Sequence, residues 1–123
     1  MALDDRTTAK LLAAGRVGVG VGLMAVPQVI GGRWVGPDAE RSGTRVLTRA
    51  LGVRDFALGA GVLAALRQDD PVKRWLVLGV LCDTVDLVAT VAEPDIPVRG
   101  RVTTAVIAGV AAVVGARLVR ALD

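Results

Sequence analysis

The sequence contains no histidine, no tyrosine and a single cysteine, Cys82, among its 123 residues. A lone cysteine excludes a disulfide within the chain. Without histidine and with one thiol, the chain supplies neither the ligands of a structural zinc site nor a histidine ligand for haem. An aspartate pair could still bind a hard cation, but two or three carboxylates without other ligands are thin evidence for one. We therefore predict no cofactor and no metal centre, and we interpret Cys82 as a small apolar filler.

Aromatic residues are almost as scarce, since Trp34, Phe56 and Trp75 are the only ones. A soluble core of this size normally buries several large rings, because each ring removes a large apolar area from water. Hydrophobic residues nevertheless make up 53% of the chain, and 15 glycines accompany them. Glycine weakens soluble helices but is common in membrane helices, where small residues let backbones approach closely. The composition therefore favours an integral membrane protein.

Positive charge is spread along the chain rather than concentrated in one patch. The formal net charge is +3, and Lys and Arg occur in every segment between the apolar stretches. Nucleic-acid binding needs a basic patch or stripe. We therefore expect no nucleic-acid partner, and we interpret the arginines as contacts to anionic lipid headgroups.

Four apolar stretches fill most of the chain, and about twenty residues in a helix match the roughly 30 Å hydrocarbon core of a bilayer. They predict helices at residues 8–30, 44–66, 72–92 and 101–122. Pro27 is expected to kink or end the first helix, and residues 31–43 are expected to form a loop. The predicted fold is a single all-α domain over residues 1–123, an integral membrane four-helix bundle with antiparallel up-down helices. A soluble four-helix bundle is the alternative, but residues 105–116 are apolar on all sides.

The distribution of Lys and Arg predicts the orientation, because cytoplasmic segments carry more of them. The termini and the 67–74 segment carry seven, whereas the opposite side carries Arg33, Arg41, Arg45, Arg99 and Arg101. The prediction is a multi-pass protein of the plasma (inner) membrane with cytoplasmic termini, and with Trp34 and Trp75 as interfacial anchors. Arg greatly outnumbers Lys, which is the codon signature of a GC-rich bacterial genome.

Charged residues near the centres of three stretches define the candidate site: Arg16, Arg54, Asp55, Asp83 and Asp86. Charges within a membrane are costly, so they normally face the bundle interior, where they pair or line a cavity. Counted from the same membrane face at about 1.5 Å per residue, Arg16 and Asp83 both lie about 12 Å deep. We therefore predict that Arg16 pairs with Asp83, and that Arg54 or Asp55 pairs with Asp86.

The balance of these charges predicts a closed ion-pair network. Arg54 points about 100° away from Asp55 on a helix, so the two residues are expected to have different neighbours. With Arg49 nearer the membrane edge, the interior would hold three arginines and three aspartates.

Three functions are compatible with such a network. It could fix helix register in a non-enzymatic accessory or oligomeric membrane subunit. Alternatively, Asp83 or Asp86 could be the acid or base of a membrane-embedded isomerase, cyclase or hydrolase acting on an isoprenoid or lipid. Asp55 would then be its partner, and Arg54 or Arg16 the electrostatic stabiliser. Transport of protons or small solutes is the third hypothesis.

The partners expected from these hypotheses are the lipid bilayer, a second copy or another membrane protein, and a lipid-like small molecule. The pair Gly18 and Gly22 has the GxxxG spacing of closely packed membrane helices and indicates a helix contact there.

The segment RALGVRDFALGAG, residues 49–61, is followed by an Asp-x-x-Asp motif at Asp83 and Asp86. In these motifs the chain resembles a group of small bacterial four-span membrane proteins of unknown function, the DUF4267-like family. The resemblance covers about a third of the chain and implies a four-helix membrane fold but no known activity. In size the chain is also similar to small multidrug transporters, but Arg16 stands where those proteins carry a membrane-embedded glutamate.

Overall fold

The structure, a computed structural model, describes residues 3–122. These residues form five α-helices and a short 3₁₀ segment, Gly36–Glu40, and they contain no strand. The helices are α1 (Asp5–Ala25), α2 (Pro27–Val35), α3 (Ser42–Arg67), α4 (Lys73–Ala92) and α5 (Val98–Ala121). The all-α prediction is confirmed, and the four long helices α1, α3, α4 and α5 occupy the four apolar stretches.

The predicted loop at residues 31–43 is wrong for most of its length. Pro27 does end the first helix, because α1 stops at Ala25 and Val26 lies outside helical geometry with φ −133°. Pro27 then occupies the start of α2, where its missing N–H is not needed. The Gly-Gly pair stays helical because α2 packs on the rest of the protein, with Gly31 buried against Thr48 of α3.

Asp4 caps the N-terminus of α1. The backbone N–H of Thr7 donates to Asp4 Oδ1 at 2.9 Å, and the Thr7 hydroxyl donates to Oδ2 at 2.7 Å. These bonds favour the ionised carboxylate and lower the pKa of Asp4 below its usual value. The cap is therefore intact at neutral pH, and it weakens only as the pH falls through that lowered pKa.

The four long helices alternate in direction and form two closely packed pairs, α1 with α3 and α4 with α5. At one end of the molecule, Arg117 Nη1 lies 2.9 Å from Asp5 Oδ1, and Arg6 Nη2 donates to the Leu66 carbonyl at 2.8 Å. Helix α2 lies at the other end, where Gly100 of α5 contacts Trp34. The side chains of the largest apolar core lie towards the first end, from Ala9, Ala13, Val62, Ala65, Leu66, Val72, Leu76 and Leu118. Contacts between the two helix pairs are much sparser than contacts within them.

Glycines bring the backbones of α1 and α3 into direct contact, but they are not the predicted pair. A Cβ on Gly20 would lie 2.6 Å from the Gly52 carbonyl oxygen and the Phe56 nitrogen. A Cβ on Gly59 would lie 2.6 Å from the Ala13 carbonyl oxygen. A Cβ on Gly18 would meet nothing within 4 Å, and one on Gly22 would meet only the Ile30 side chain. Gly18 and Gly22 therefore form no helix contact within the chain, because the side of α1 that carries Gly20 faces α3, and a contact of this pair between chains stays a prediction.

Three of the helices, α1, α4 and α5, are long and apolar enough to cross a membrane. Helix α3 has 26 residues, or about 39 Å at about 1.5 Å per residue, but it also carries several charged side chains. Large apolar residues are exposed at helical spacing on the outer face of α4, namely Val77, Leu81, Val85 and Val88. On α5 the residues exposed at helical spacing are Val102, Val106, Val110 and Val113. Such continuous apolar ridges are typical of surfaces that face lipid or another protein.

The contact between α1 and α3 predicts opposite effects for two alanine substitutions on α1. Gly20→Ala is expected to destabilise the protein by about 1–3 kcal/mol, because the methyl group overlaps backbone atoms that cannot move independently. Gly18→Ala is expected to be neutral or to stabilise by up to about 1 kcal/mol, because alanine has the better helix propensity and the site is open. Thermal unfolding of both variants in detergent, followed by circular dichroism, measures the difference. Equal stabilities would contradict the close packing of α1 on α3.

Candidate functional site

Arg16 and Asp83 join the two helix pairs near the middle of the molecule. Arg16 Nη2 of α1 donates to Asp83 Oδ2 of α4 at 2.5 Å, so the predicted pairing is confirmed. Arg16 Nη1 also lies 3.4 Å from Asp55 Oδ1 of α3. Gly79, one turn before Asp83, leaves room for the guanidinium, since a Cβ there would lie 3.3 Å from Arg16 Nη2. One arginine thus connects α1, α3 and α4.

Arg54 of α3 makes the second connection, a bidentate pair with Asp86 of α4. Its Nη1 donates to Asp86 Oδ1 at 3.0 Å and its Nη2 to Oδ2 at 2.6 Å. The predicted Arg54–Asp86 pairing is therefore confirmed. Parallel bonds of this kind combine charge and geometry and are among the strongest polar contacts in proteins.

Asp55 lies between the two arginines. Arg54 and Asp55 do have different neighbours, Asp86 and Arg16, as predicted, but they also contact each other, since Arg54 Nη2 donates to Asp55 Oδ1 at 3.1 Å. The long arginine side chain spans the angle between adjacent positions on the helix, which the backbone direction alone does not reveal. Asp55 Oδ1 therefore receives bonds from both guanidinium groups and makes one continuous network of five side chains.

The expected balance of three arginines and three aspartates is wrong. Arg49 is exposed, and its Nε donates to the Met24 carbonyl at 3.2 Å, away from the network. Two guanidinium groups therefore face three carboxylates, which gives the ionised network a net charge of −1. Within residues 3–122, no hydrogen bond reaches Asp55 Oδ2 or Asp83 Oδ1, whereas both oxygens of Asp86 are bonded.

Burial makes this arrangement energetically important. The side chains of Asp55 and Asp83 are 12% and 9% exposed, and that of Arg16 is 11% exposed. Separating one member of such a pair leaves an uncompensated charge in a low-dielectric environment, which is strongly destabilising.

Two adjoining cavities reach the carboxylates from the gap between α1 and α5. The first, of about 220 Å³, is lined by all three aspartates, and α2 closes its far end with Ile30, Arg33 and Trp34. The second, of about 480 Å³, continues along α1 and α5 towards Leu11 and Val110. Both are lined by Val19, Asp55, Asp83 and Ile107, and we call them together the α1–α5 groove.

Several residues at the α2 end of the groove were not identified as site residues from the sequence. Trp34, predicted as an interfacial anchor, donates its Nε1–H to the buried Thr90 hydroxyl at 2.9 Å and so fixes α2 on α4. Arg33, Thr103 and Thr104 line the same cavity. The contact of α2 with the long helices places Arg33 and Trp34 in the cavity that Asp86 lines, and the packing of α5 places Thr103 and Thr104 there. No spacing along the chain indicates either arrangement.

The carboxylates do not form a metal centre by themselves. Among residues 3–122, no group of three aspartate, glutamate or cysteine side chains is placed to hold a metal ion.

Comparison with protein-family models, with curated proteins and with solved structures found no match. The resemblance to the DUF4267-like family therefore stays a prediction.

The net charge of the network predicts that substituting one of its arginines destabilises the protein more than substituting one of its aspartates. Arg16→Gln would leave one guanidinium against three carboxylates, and we expect a loss of about 3 kcal/mol or more, as for other broken buried pairs. Asp83→Asn would leave two charges of each sign, with Asp55 still facing Arg16, so we expect a loss of only about 1–2 kcal/mol from the weakened hydrogen bond. Thermal unfolding in detergent ranks the two variants.

Exposed residues supply matched controls for this comparison. Arg120→Gln and Asp95→Asn make the same chemical changes at exposed positions and should leave stability unchanged. If Asp83→Asn were as destabilising as Arg16→Gln, the surplus of negative charge would not be the quantity that governs stability.

Proposed function

We propose that this protein is a four-span integral membrane protein of a bacterial plasma (inner) membrane, with both termini in the cytoplasm. Its support is the close packing of α3 along α1, where Gly20 and Gly52 meet backbone to backbone. If α1 spans a bilayer, α3 must share that environment, and the central charges of α3, Arg54 and Asp55, are paired within the protein. The resemblance to the DUF4267-like family supports the same arrangement.

Within the membrane, we propose a non-enzymatic role as an accessory or oligomeric subunit that holds a lipid-like molecule. The observation that carries this proposal is the position of the charge network between two helix pairs that otherwise contact each other sparsely. Arg16–Asp83 and Arg54–Asp86 both cross that boundary, so the network acts as a clamp. A buried clamp of this kind fixes register and orientation. The α1–α5 groove beside it is open to an apolar molecule from the bilayer.

The four-span arrangement predicts which connections are accessible from each side of the membrane. In a Cys82→Ser background, Gln68→Cys lies between α3 and α4, and Asp95→Cys lies between α4 and α5. A membrane-impermeant maleimide should label position 68 only from the cytoplasmic side and position 95 only from the opposite side. Labelling of both from the same side, or a monodisperse protein prepared without detergent, would contradict the proposal.

The lipid-like molecule can be detected directly. Protein extracted in a mild detergent is expected to retain a co-purifying lipid that native mass spectrometry resolves as a discrete added mass. Ile107→Trp fills the groove from the α5 side, so it should remove that mass, whereas Val113→Trp should not. Ile107 is 63% exposed and lines the groove, and Val113, 71% exposed on the same helix, does not line it. Retention of the mass by both variants would show that it binds elsewhere.

A membrane-embedded enzyme is the second candidate, and the groove is the observation that favours it. Catalysis requires a cavity that brings substrate to the reacting groups, and this one is lined by Asp55, Asp83 and Asp86. In such an isomerase, cyclase or hydrolase, Asp83 or Asp86 would exchange a proton with an isoprenoid or lipid. Arg16 or Arg54 would stabilise the developing charge.

Asp83→Asn tests the enzyme candidate, because it leaves the charges of the network balanced. Reconstituted protein and the variant are incubated with a total lipid extract, and the lipids are compared by mass spectrometry. An enzyme would give a product with the unmodified protein and none with a variant of similar unfolding temperature, and Asp95→Asn would keep the activity. Identical lipid profiles with and without the unmodified protein would contradict catalysis on these lipids.

A further inference from the structure

We propose that the α1–α5 groove binds an amphiphile with a primary ammonium head, and that the head lies between Asp55 and Asp83. This inference rests on the proposed membrane location and lipid-like ligand, and it adds the charge and the chemical class of the ligand. The chain itself supplies the two features that such a molecule needs, a long apolar trough and an excess of negative charge on its floor.

The number of charged groups in the network indicates the sign of the ligand's charge. With all three carboxylates ionised, the two guanidinium groups leave one negative charge in a region where unpaired charge is costly. One monovalent cation, a proton or a bound ammonium group, neutralises it. A divalent ion would overcompensate, and its usual set of oxygen ligands is absent here.

The carboxylate oxygens that accept no hydrogen bond indicate where the polar head of the ligand binds and which chemical group it carries. Asp55 Oδ2 and Asp83 Oδ1 receive no hydrogen bond within residues 3–122, and these two residues line both cavities of the groove. An ammonium group carries three N–H donors and can bond both oxygens at once. Asp86 lines only the first cavity, and its two oxygens are already bonded to Arg54.

The side chains that line the walls of the groove indicate that the ligand has an apolar tail. Beyond the aspartates the walls are formed mainly by aliphatic side chains of α1 and α5, among them Val19, Leu23, Ile107 and Val110. Val19 and Ile107 are 46% and 63% exposed, so the groove is open along its side and a chain can enter from the bilayer. The cavity volumes, about 220 and 480 Å³, together fall within the range of about 300–1,000 Å³ typical of small-molecule sites.

Arg33 is the one positive residue of the lining that lies outside the network. It is exposed on α2, at the end of the first cavity, and Thr103 and Thr104 line the same cavity. If this end selected the ligand, the head would be an anion such as a phosphate. The experiment therefore compares both signs of charge.

The test uses the full chain in nanodiscs of phosphatidylcholine and three probes with the same tail: dodecylammonium, dodecanol and dodecyl phosphate. Trp34 lines the first cavity, so brominated forms of the probes quench its fluorescence on binding. We expect dodecylammonium to bind at least about tenfold more tightly than dodecanol, because a charge-assisted hydrogen bond to a carboxylate contributes that much. Asp83→Asn should abolish this difference between the two probes.

Two further variants keep the proposal testable if Asp83→Asn unfolds. Ile107→Phe narrows the groove without touching the charge network or adding a tryptophan, and it should weaken binding of dodecylammonium. Val113→Phe adds the same kind of bulk outside the groove and should preserve binding.

Each other outcome overturns the proposal in a distinguishable way. Equal affinities for dodecylammonium and dodecanol would refute the ammonium site while leaving the lipid-binding groove in place. Tightest binding of dodecyl phosphate, lost in Arg33→Gln, would assign the site to an anionic head at the α2 end. Binding of none of the probes would refute the lipid-binding role itself. Disulfide crosslinking of Ile107→Cys between copies, in a Cys82→Ser background, would then identify a second copy as the occupant.

Discussion

Neutralising charge between two apolar helix pairs is the constraint on which the rest of this structure depends. The pairs α1/α3 and α4/α5 are each closely packed, the first through glycines of both helices and the second with Gly115 against Val80, but the two pairs share few contacts with each other. Arg16 and Arg54 cross the boundary to Asp83 and Asp86 at 2.5–2.6 Å in their shortest bonds. Moving these groups out of the interior would break both the network and the packing around it. The position of α4 against α1 and α3 is therefore set largely by electrostatics.

Small residues let the helices approach closely enough for this network to form. Gly20, Gly52 and Gly59 bring α1 and α3 close enough for Arg16 and Arg54, which lie on different helices, to share Asp55. Gly79 opens the facing side of α4 to the Arg16 guanidinium. The scarcity of large aromatic side chains is thus part of the same design, because bulk at these positions would push the charged groups apart.

The network has one more carboxylate than guanidinium groups, and two of its carboxylate residues, Asp55 and Asp83, also line the groove. A balanced and fully bonded network would indicate a structural role only. Here the oxygens without a protein donor belong to Asp55 and Asp83, which also line the groove between α1 and α5. The same residues can therefore hold the helices together and present one negative charge to a molecule that enters from the side. This dual role links the accessory-subunit proposal with its enzyme alternative.

Much of this arrangement follows from the sequence. The apolar stretches determined the four long helices because their length and hydrophobicity leave no other regular structure. The depths of Arg16 and Asp83 determined their pairing. An α-helix rises by a fixed distance per residue, so residues that lie equally many positions from the same membrane face lie at the same depth. What only the tertiary structure decided were the helical conformation of residues 31–35, the use of Gly20 rather than Gly18 and Gly22, and the exclusion of Arg49. The physical reason is common to all three. A residue's helix and depth follow from local spacing, whereas the neighbour it meets depends on how each helix is rotated and on how far a long side chain can reach.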